Sequence, residues 1–141
     1  MTQSGTPMVP GKFSDARSIL VIDDDPLVRE VLHELLNGES YISLEAETGS
    51  AGLQIMASAV VDLVILDIFM PDVDGVEALR VLRVEWPSVP VICVSGGSAS
   101  VGASTLFGAT MLMGAFATIM KPFREAELLT LIHQALDERP A

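Results

Sequence analysis

The stretch Ser18-Ile19-Leu20-Val21-Ile22-Asp23-Asp24-Asp25-Pro26 decides the fold. Its near-continuous apolar beginning is typical of a strand that is buried on both faces. Asp25 and Pro26 predict the start of a helix, because Asp is a good N-cap and Pro fits the first helical position. Apolar residues follow at helical spacing, namely Leu27, Val28, Val31, Leu32, Leu35 and Leu36. A buried strand therefore passes through an acidic turn into an amphipathic helix.

This alternation of strand and helix continues along the chain. Further strands are predicted at residues 41–45, 63–66, 89–94 and 116–120. Helical patterns cover residues 50–58, 75–86, 104–113 and 124–138. Strands that alternate with helices imply parallel pairing and right-handed crossovers. We therefore predict an α/β fold, a doubly wound five-stranded parallel sheet with five helices, over residues 17–138. Residues 1–16 are predicted to be a flexible N-terminal tail and residues 139–141 a C-terminal tail.

Composition excludes several classes of protein. The 141 residues suffice for one domain, and the net charge of -11 argues against a nucleic-acid partner. No secretion signal is predicted in the first residues. The uncharged run from Trp86 to Met120 is interrupted by prolines and glycines, so no membrane span is predicted. The lone Cys93 lies in an apolar run and is predicted to be a small core residue in a reducing, cytoplasmic compartment.

Polar residues follow the predicted strands at the carboxyl ends that parallel strands share. Asp23 and Asp24 follow the first strand, Asp67 the third, Ser95 the fourth and Lys121 the fifth. Ligands bind at this rim in open α/β sheets. Acids crowded together repel each other unless a cation joins them, and a few carboxylates suit Mg²⁺. The pattern predicts a phosphoryl-transfer centre that works by positioning and charge neutralisation.

At this point the sequence resembles the receiver domains of bacterial two-component response regulators, in particular single-domain, chemotaxis-like receivers. Four motifs carry the resemblance in the family's order, and they are Ile19–Pro26, Asp67–Gly75, Val94-Ser95-Gly96 and Lys121-Pro122-Phe123. The resemblance covers about residues 17–138. It implies a flavodoxin-like sheet with strand order 2-1-3-4-5, and a cis peptide bond is frequent in the family before the proline of the last motif.

The resemblance also implies a role for each residue. Asp67 would be the nucleophile that becomes phosphorylated, and Mg²⁺ would be bound by Asp67 and Asp24. Asp23 would bind the metal directly or through water, and the backbone carbonyl of Phe69 would be a further ligand. Ser95 would donate a hydrogen bond to one phosphoryl oxygen, and Lys121 would pair with another.

The implied function is that of a phosphoacceptor switch in a two-component phosphorelay. A sensor histidine kinase or a phosphotransfer protein would supply the phosphoryl group. Output would go to an unknown downstream protein by contact, with no attached effector domain. The domain would not be an enzyme beyond catalysing its own Mg²⁺-dependent phosphorylation and dephosphorylation.

Two features depart from the family pattern. Thr118 stands where most receivers have Tyr or Phe, so the usual aromatic switch is absent. Phe116, predicted to lie on the same strand face, is a weak candidate to replace it. The uncharged segment after Ser95 contains a helix that is apolar nearly all round. Its apolar surface is expected either to be buried deeper in the monomer or to form a partner surface, such as a homodimer through residues 99–120.

Two other functions compete with the phosphoacceptor hypothesis. A binding-only pseudo-receiver would never take phosphate, but Asp24, Asp67, Ser95 and Lys121 are all present. A phosphatase of the haloacid-dehalogenase class also uses an aspartyl nucleophile, but it needs a second Asp two residues later. Phe69 occupies that position in this chain.

Overall fold

The computed structural model describes residues 16–70, 74–96 and 103–137, and within these ranges it does not describe the side chains of residues 74 and 103–107. Both predicted tails lie almost wholly outside the described residues. The same holds for residues 71–73 of the second motif and for residues 97–102, which precede the uncharged helix.

Strands and helices alternate throughout the described chain. The strands are β1 (Ser18–Ile22), β2 (Ile42–Ala46), β3 (Leu63–Asp67), β4 (Val91–Ser95) and β5 (Ala117–Met120). The helices are α1 (Pro26–Gly38), α2 (Gly49–Ser58), α3 (Asp74–Glu85), α4 (Ala103–Leu112) and α5 (Glu125–Asp137). All strand pairs are parallel, in the order β2-β1-β3-β4-β5. The predicted fold and strand order are confirmed.

Each of the inner strands sends alternate side chains to opposite faces of the sheet. Leu20, Val64 and Cys93 belong to a cluster that includes the apolar residues of α2 and α3. Val21 and Ile65 belong to a second cluster, which contains the buried residues of α1 and α5. This division follows from the two-residue period of a strand, and it explains why the inner strands are apolar at nearly every position.

The acidic turn after β1 forms as the sequence predicts. Asp25 is the N-cap of α1, and its carboxylate accepts a hydrogen bond from the Leu27 N–H at 2.9 Å. Pro26 is the first helical residue. The peptide bond between Lys121 and Pro122 is cis, as the resemblance implied.

Strand boundaries differ from the predicted ones by one or two residues. The Tyr41 N–H bonds to the Leu36 carbonyl, so this residue still belongs to the turn that ends α1. Likewise, the Val89 N–H bonds to the carbonyl of Trp86, and β4 begins only at Val91. These local hydrogen bonds use backbone N–H groups of residues that the sequence pattern assigns to strands.

Cys93 lies in the middle of β4 and its side chain is fully buried. Burial raises the pKa of its thiol to about 12, because the thiolate would lose its hydration. This agrees with the predicted role as a core residue. Among the described helices, none has the length and apolar character that crossing a membrane requires.

Candidate functional site

Three carboxylates meet where the order of the strands reverses. Asp23 and Asp24 follow β1, Asp67 ends β3, and these strands are neighbours in the sheet. One carboxylate oxygen from each residue lies within 4.8 Å of those of the other two. Asp23 and Asp67 are buried, whereas Asp24 is exposed. A set of oxygen ligands of this kind fits a hard cation such as Mg²⁺, which keeps several waters when it binds to protein carboxylates.

Asp23 is held by contacts on several sides. Its N–H donates to the Ala46 carbonyl at 3.1 Å, which ties the end of β1 to the end of β2. Its Oδ1 accepts from the Asp25 N–H at 2.9 Å, and its Oδ2 lies 3.2 Å from Lys121 Nζ. The carboxylate is therefore fixed in orientation, and Asp24 is left as the acid that faces solvent.

Asp67 combines burial with a crowded electrostatic environment. Its Oδ1 accepts from the Phe69 N–H at 3.0 Å, and its Oδ2 lies 3.5 Å from Lys121 Nζ. The pKa of Asp67 is raised, first because burial removes the carboxylate from water and second because Asp23 is negatively charged. The Phe69 N–H and the Lys121 ammonium act in the opposite direction. The site therefore places its central carboxylate where a cation would favour the ionised form.

Lys121 is the cation that the structure places among these acids. Burial alone would lower its pKa, but the charges of Asp23 and Asp67 outweigh burial, and the pKa of Lys121 is raised. The ammonium group therefore stays charged at neutral pH. It contacts both buried acids, at 3.2 Å and 3.5 Å.

Ser95 ends β4, the strand next to β3, and Asp67 is paired in register with the preceding residue, Val94. The Ser95 hydroxyl is fully buried and has no hydrogen-bond partner within the described part of the chain. Its carbonyl accepts from the Lys121 N–H at 2.9 Å. A buried hydroxyl beside the acids is therefore available to donate a hydrogen bond to an incoming group.

One residue near the site, Arg29, was not singled out in the sequence, whereas Gly75 ends the second of the four motifs. Arg29 Nη1 donates to the Asp23 carbonyl at 2.7 Å, and a cation in the first turn of a helix was the signal that could have revealed it. Gly75 packs directly on the chain that follows the site. A β-carbon at Gly75 would lie 2.6 Å from the carbonyl oxygens of Asp67 and Ile68.

The region of the missing aromatic residue also differs from expectation. The hydroxyls of Thr118 and Thr110 lie 2.7 Å apart, which links β5 to α4. Phe116 precedes β5 and packs against the cluster that contains Ile119, whose side chain points away from that of Thr118. The prediction that Phe116 shares a strand face with Thr118 is therefore wrong, because strand alternation does not extend to Phe116.

The described end of α4 does not show deeper burial in the monomer. Leu112 is 92% exposed and Met111 38% exposed, while Thr110 is buried. Two exposed apolar side chains therefore lie at this end of α4. The remainder of the predicted dimer region, residues 99–102 and the side chains of 103–107, lies outside the described residues.

The family model of the response regulator receiver domain matches residues 19–133. The chain belongs to this family. The receiver domain protein from Methanospirillum hungatei, described as CheY-like, superposes with a TM-score of 0.78 at 32% identity, covering 87% of this chain and 95% of that one. Response regulator TrrA from Thermotoga maritima, solved in complex with Mg²⁺-BeF, has a TM-score of 0.74 at 33% identity, covering 85% of this chain and 99% of that one.

Curated relatives of this receiver domain are longer proteins. The KDP operon transcriptional regulatory protein KdpE of Escherichia coli is 36% identical, over 88% of this chain and 53% of that protein. The DNA-binding response regulator MtrA of Mycolicibacterium smegmatis is 32% identical, over 87% of this chain and 53% of that protein. The chain therefore spans about half the length of these relatives. The predicted single-domain, chemotaxis-like character is not supported by these relatives and stays a prediction.

Proposed function

We propose that this receiver domain is a phosphoacceptor switch in which Asp67 becomes phosphorylated and Mg²⁺ is bound by Asp23, Asp24 and Asp67. The observation that carries the proposal is the position of Asp67, buried between a second acid and Lys121 at the end of β3. The Phe69 backbone carbonyl is proposed as a further metal ligand. When bound, Mg²⁺ would offset the negative charge of the carboxylates and of the phosphoryl group.

The proposed transfer needs little covalent chemistry from the protein. A carboxylate oxygen of Asp67 forms a bond to the phosphorus of the donor, and the bond between phosphorus and the donor's leaving group breaks with its electron pair on that group. Lys121 stabilises the charge of the phosphoryl oxygens, and Ser95 donates a hydrogen bond to one of them. Hydrolysis of the resulting acyl phosphate by water restores the carboxylate, so the domain acts on itself and not on a separate substrate.

Incubation with acetyl phosphate and Mg²⁺ tests this proposal. Intact mass spectrometry should detect one added phosphoryl group on the parent protein and none on Asp67→Asn. Asp62→Asn is the matched control, because Asp62 bonds to the Ser18 N–H at the opposite end of β1 and should leave labelling intact. Equal labelling of Asp67→Asn would reject the assignment, and a parent protein that is never labelled would favour the pseudo-receiver.

The phosphoryl donor in the cell is proposed to be a histidine kinase or a phosphotransfer protein. An apolar groove of about 600 Å³ opens beside Lys121, and its lining includes the exposed Leu27 together with Val31 and Phe123. Since this groove adjoins the phosphoacceptor site, a protein donor could cover apolar surface while presenting its phosphoryl group.

Phosphotransfer from a panel of purified histidine kinases tests the donor surface. Leu27→Gln should slow transfer from the productive kinase and leave labelling by acetyl phosphate unchanged. Val60→Gln is the matched control, because Val60 is also strongly exposed but lies outside the groove. Equal rates for the two variants would remove the groove from the donor interface.

Output through contact with a downstream protein also belongs to the proposal. The exposed Met111 and Leu112 on α4 support a partner surface, and a homodimer through residues 99–120 is one form of it. The absence of an effector domain stays a prediction, since KdpE and MtrA are named as a transcriptional regulator and a DNA-binding regulator. A cytoplasmic location also stays a prediction.

A further inference from the structure

Arg29 occupies an unfavourable place in its own helix. It lies in the first turn of α1, which contains no acidic residue. The N-terminal end of a helix carries partial positive charge, so a cation is disfavoured there. Charge at the proposed metal site does not explain this position either, because an arginine beside that site would repel the metal ion.

The Arg29 side chain is mostly buried and contacts two neighbouring elements. Its side chain is 16% exposed, and Nη1 donates to the main-chain carbonyl of Asp23 at 2.7 Å. Its Nε lies 3.4 Å from Glu45 Oε1 in β2. The residue after Glu45, Ala46, accepts the Asp23 N–H. The main chain of Asp23 is therefore held at its N–H by β2 and at its carbonyl by an arginine that β2 also holds.

A bond to this carbonyl has a direct consequence for Asp24. The carbonyl of Asp23 and the N–H of Asp24 belong to one planar peptide group, so fixing the oxygen fixes the plane that leads into Asp24. Asp24 is the exposed acid of the cluster. The hydrogen bond from Arg29 occupies no carboxylate oxygen of the site, whereas Lys121 contacts carboxylate oxygens of both Asp23 and Asp67.

We propose that Arg29 is a positioning residue for the metal-binding acids, acting through the Asp23 carbonyl and the ion pair with Glu45. This inference rests on the proposed Mg²⁺-dependent phosphoacceptor function. It differs from a general role in anchoring α1, because it requires that the affinity for Mg²⁺ depend on Arg29.

The sign of the change in Mg²⁺ affinity separates the explanations. If Arg29 acts by position, Arg29→Met should weaken Mg²⁺ binding by about tenfold or more, the range seen when residues that orient metal ligands are removed. If only its charge mattered, Arg29→Met would tighten Mg²⁺ binding, since a repelling cation is gone. If Arg29 only anchors α1, the variant would lose stability and keep its affinity.

Isothermal titration calorimetry with MgCl₂ measures the affinity, and urea unfolding without Mg²⁺ measures stability separately. Arg29→Lys keeps the charge but loses the planar guanidinium that reaches both partners, so it should also weaken binding. Arg80→Met is the matched control, because Arg80 pairs with Glu77 on the exposed face of α3 and should change affinity less than about twofold.

Each outcome has a defined meaning. Unchanged or tighter Mg²⁺ binding by Arg29→Met, with the parent still binding Mg²⁺ and still labelled at Asp67, would overturn the role of Arg29 alone. A parent protein that binds no Mg²⁺ would instead overturn the metal part of the proposed function. Weakened binding in both Arg29 variants, with Arg80→Met unaffected, would support positioning.

Discussion

Asp67 would have to be ionised to act as the proposed nucleophile, yet its surroundings raise the pKa of its carboxyl group. Burial and the neighbouring Asp23 raise its pKa above the ordinary value of 3.8. Above the folded-state pKa, the metal-free protein therefore contains a carboxylate whose charge destabilises it. As the pH falls through that pKa, Asp67 takes up a proton in the folded protein and the destabilisation is relieved.

Asp67→Asn should accordingly stabilise the metal-free protein at neutral pH. The gain should shrink as the pH falls toward 3.8, where Asp67 becomes protonated in the unfolded chain as well. Urea unfolding between pH 4 and pH 8 in the presence of a chelator measures it. Glu34→Gln, which removes one negative charge from the exposed face of α1, is the control. A gain that does not depend on pH would contradict this explanation.

Two glycines should respond in opposite directions to the same substitution. Gly75→Ala places a β-carbon 2.6 Å from two backbone carbonyl oxygens, which are unable to move aside as a side chain would. We expect a loss of about 1–3 kcal/mol in the free energy of unfolding, the usual range for overpacking. A β-carbon at Gly108, inside α4, would meet no atom within 4 Å in the described part of the chain, apart from its neighbours and the helix's own backbone. Gly108→Ala should add about 0.5–1 kcal/mol, because alanine favours the helix. Urea titration of both variants checks the two signs.

At the scale of elements, most of the correct predictions follow from local patterns in the sequence. The apolar strands, the Asp25 cap and the acids at strand ends follow from two-residue and helical periods, so they are visible in the sequence. The site was predictable for the same reason, since parallel strands bring their carboxyl ends to one rim. Asp23, Asp24 and Asp67 do meet there.

Contacts between distant residues were not predictable from such patterns. The bond from Arg29 to the Asp23 carbonyl depends on the rotamer of a long side chain and on the position of Glu45 in another element. The position of Phe116 depends on where β5 begins, and a single residue decides which face of the sheet a side chain covers.

The hydrogen bond between Thr110 and Thr118 should couple α4 to β5. Replacing either residue by valine removes one hydroxyl with little change in shape. A double-mutant cycle of Thr110→Val and Thr118→Val, measured by urea unfolding, should give a coupling free energy of about 0.5–1.5 kcal/mol. Thr118→Ser keeps the hydroxyl and should retain most of the stability. Additive effects in the cycle would show that the two hydroxyls do not interact.

Thr118, one residue of this pair, also bears on how the proposed phosphorylation would change the structure at the protein surface. With Thr118 in place of an aromatic residue, we expect the chain from Gly96 to Met113 to carry the change, beginning at Ser95, whose buried hydroxyl can donate to a phosphoryl oxygen. Two-dimensional NMR with and without beryllofluoride should place the largest backbone shift changes beyond the site in that range. Changes centred on the Phe116 ring would support an aromatic route instead.

At the scale of the whole molecule, the proposed Mg²⁺ site predicts that the metal stabilises the fold, because Mg²⁺ would bind an arrangement of acids that the unfolded chain lacks. With free Mg²⁺ at about 100 times its dissociation constant, the gain is about 2.7 kcal/mol. Asp24→Ala should lose most of the rise in melting temperature. Asp25→Ser keeps an N-cap on α1 while removing a neighbouring charge, and it should retain the rise. An undiminished rise in Asp24→Ala would exclude Asp24 as a ligand.

Because Cys93 is buried, alkylation of its thiol can measure how often the folded protein is open around β4. The chain has one cysteine, and its folded thiol is both inaccessible and, with a pKa of about 12, rarely a thiolate. An alkylating reagent should therefore react almost only with molecules that have opened around β4. Where closing is faster than alkylation, the labelling rate is proportional to the population of opened molecules. Saturating Mg²⁺ at about 100 times its dissociation constant should slow labelling by about 100-fold if this opening is global unfolding. A single thiol thus reports the population of opened molecules under native conditions, without denaturant or an attached dye.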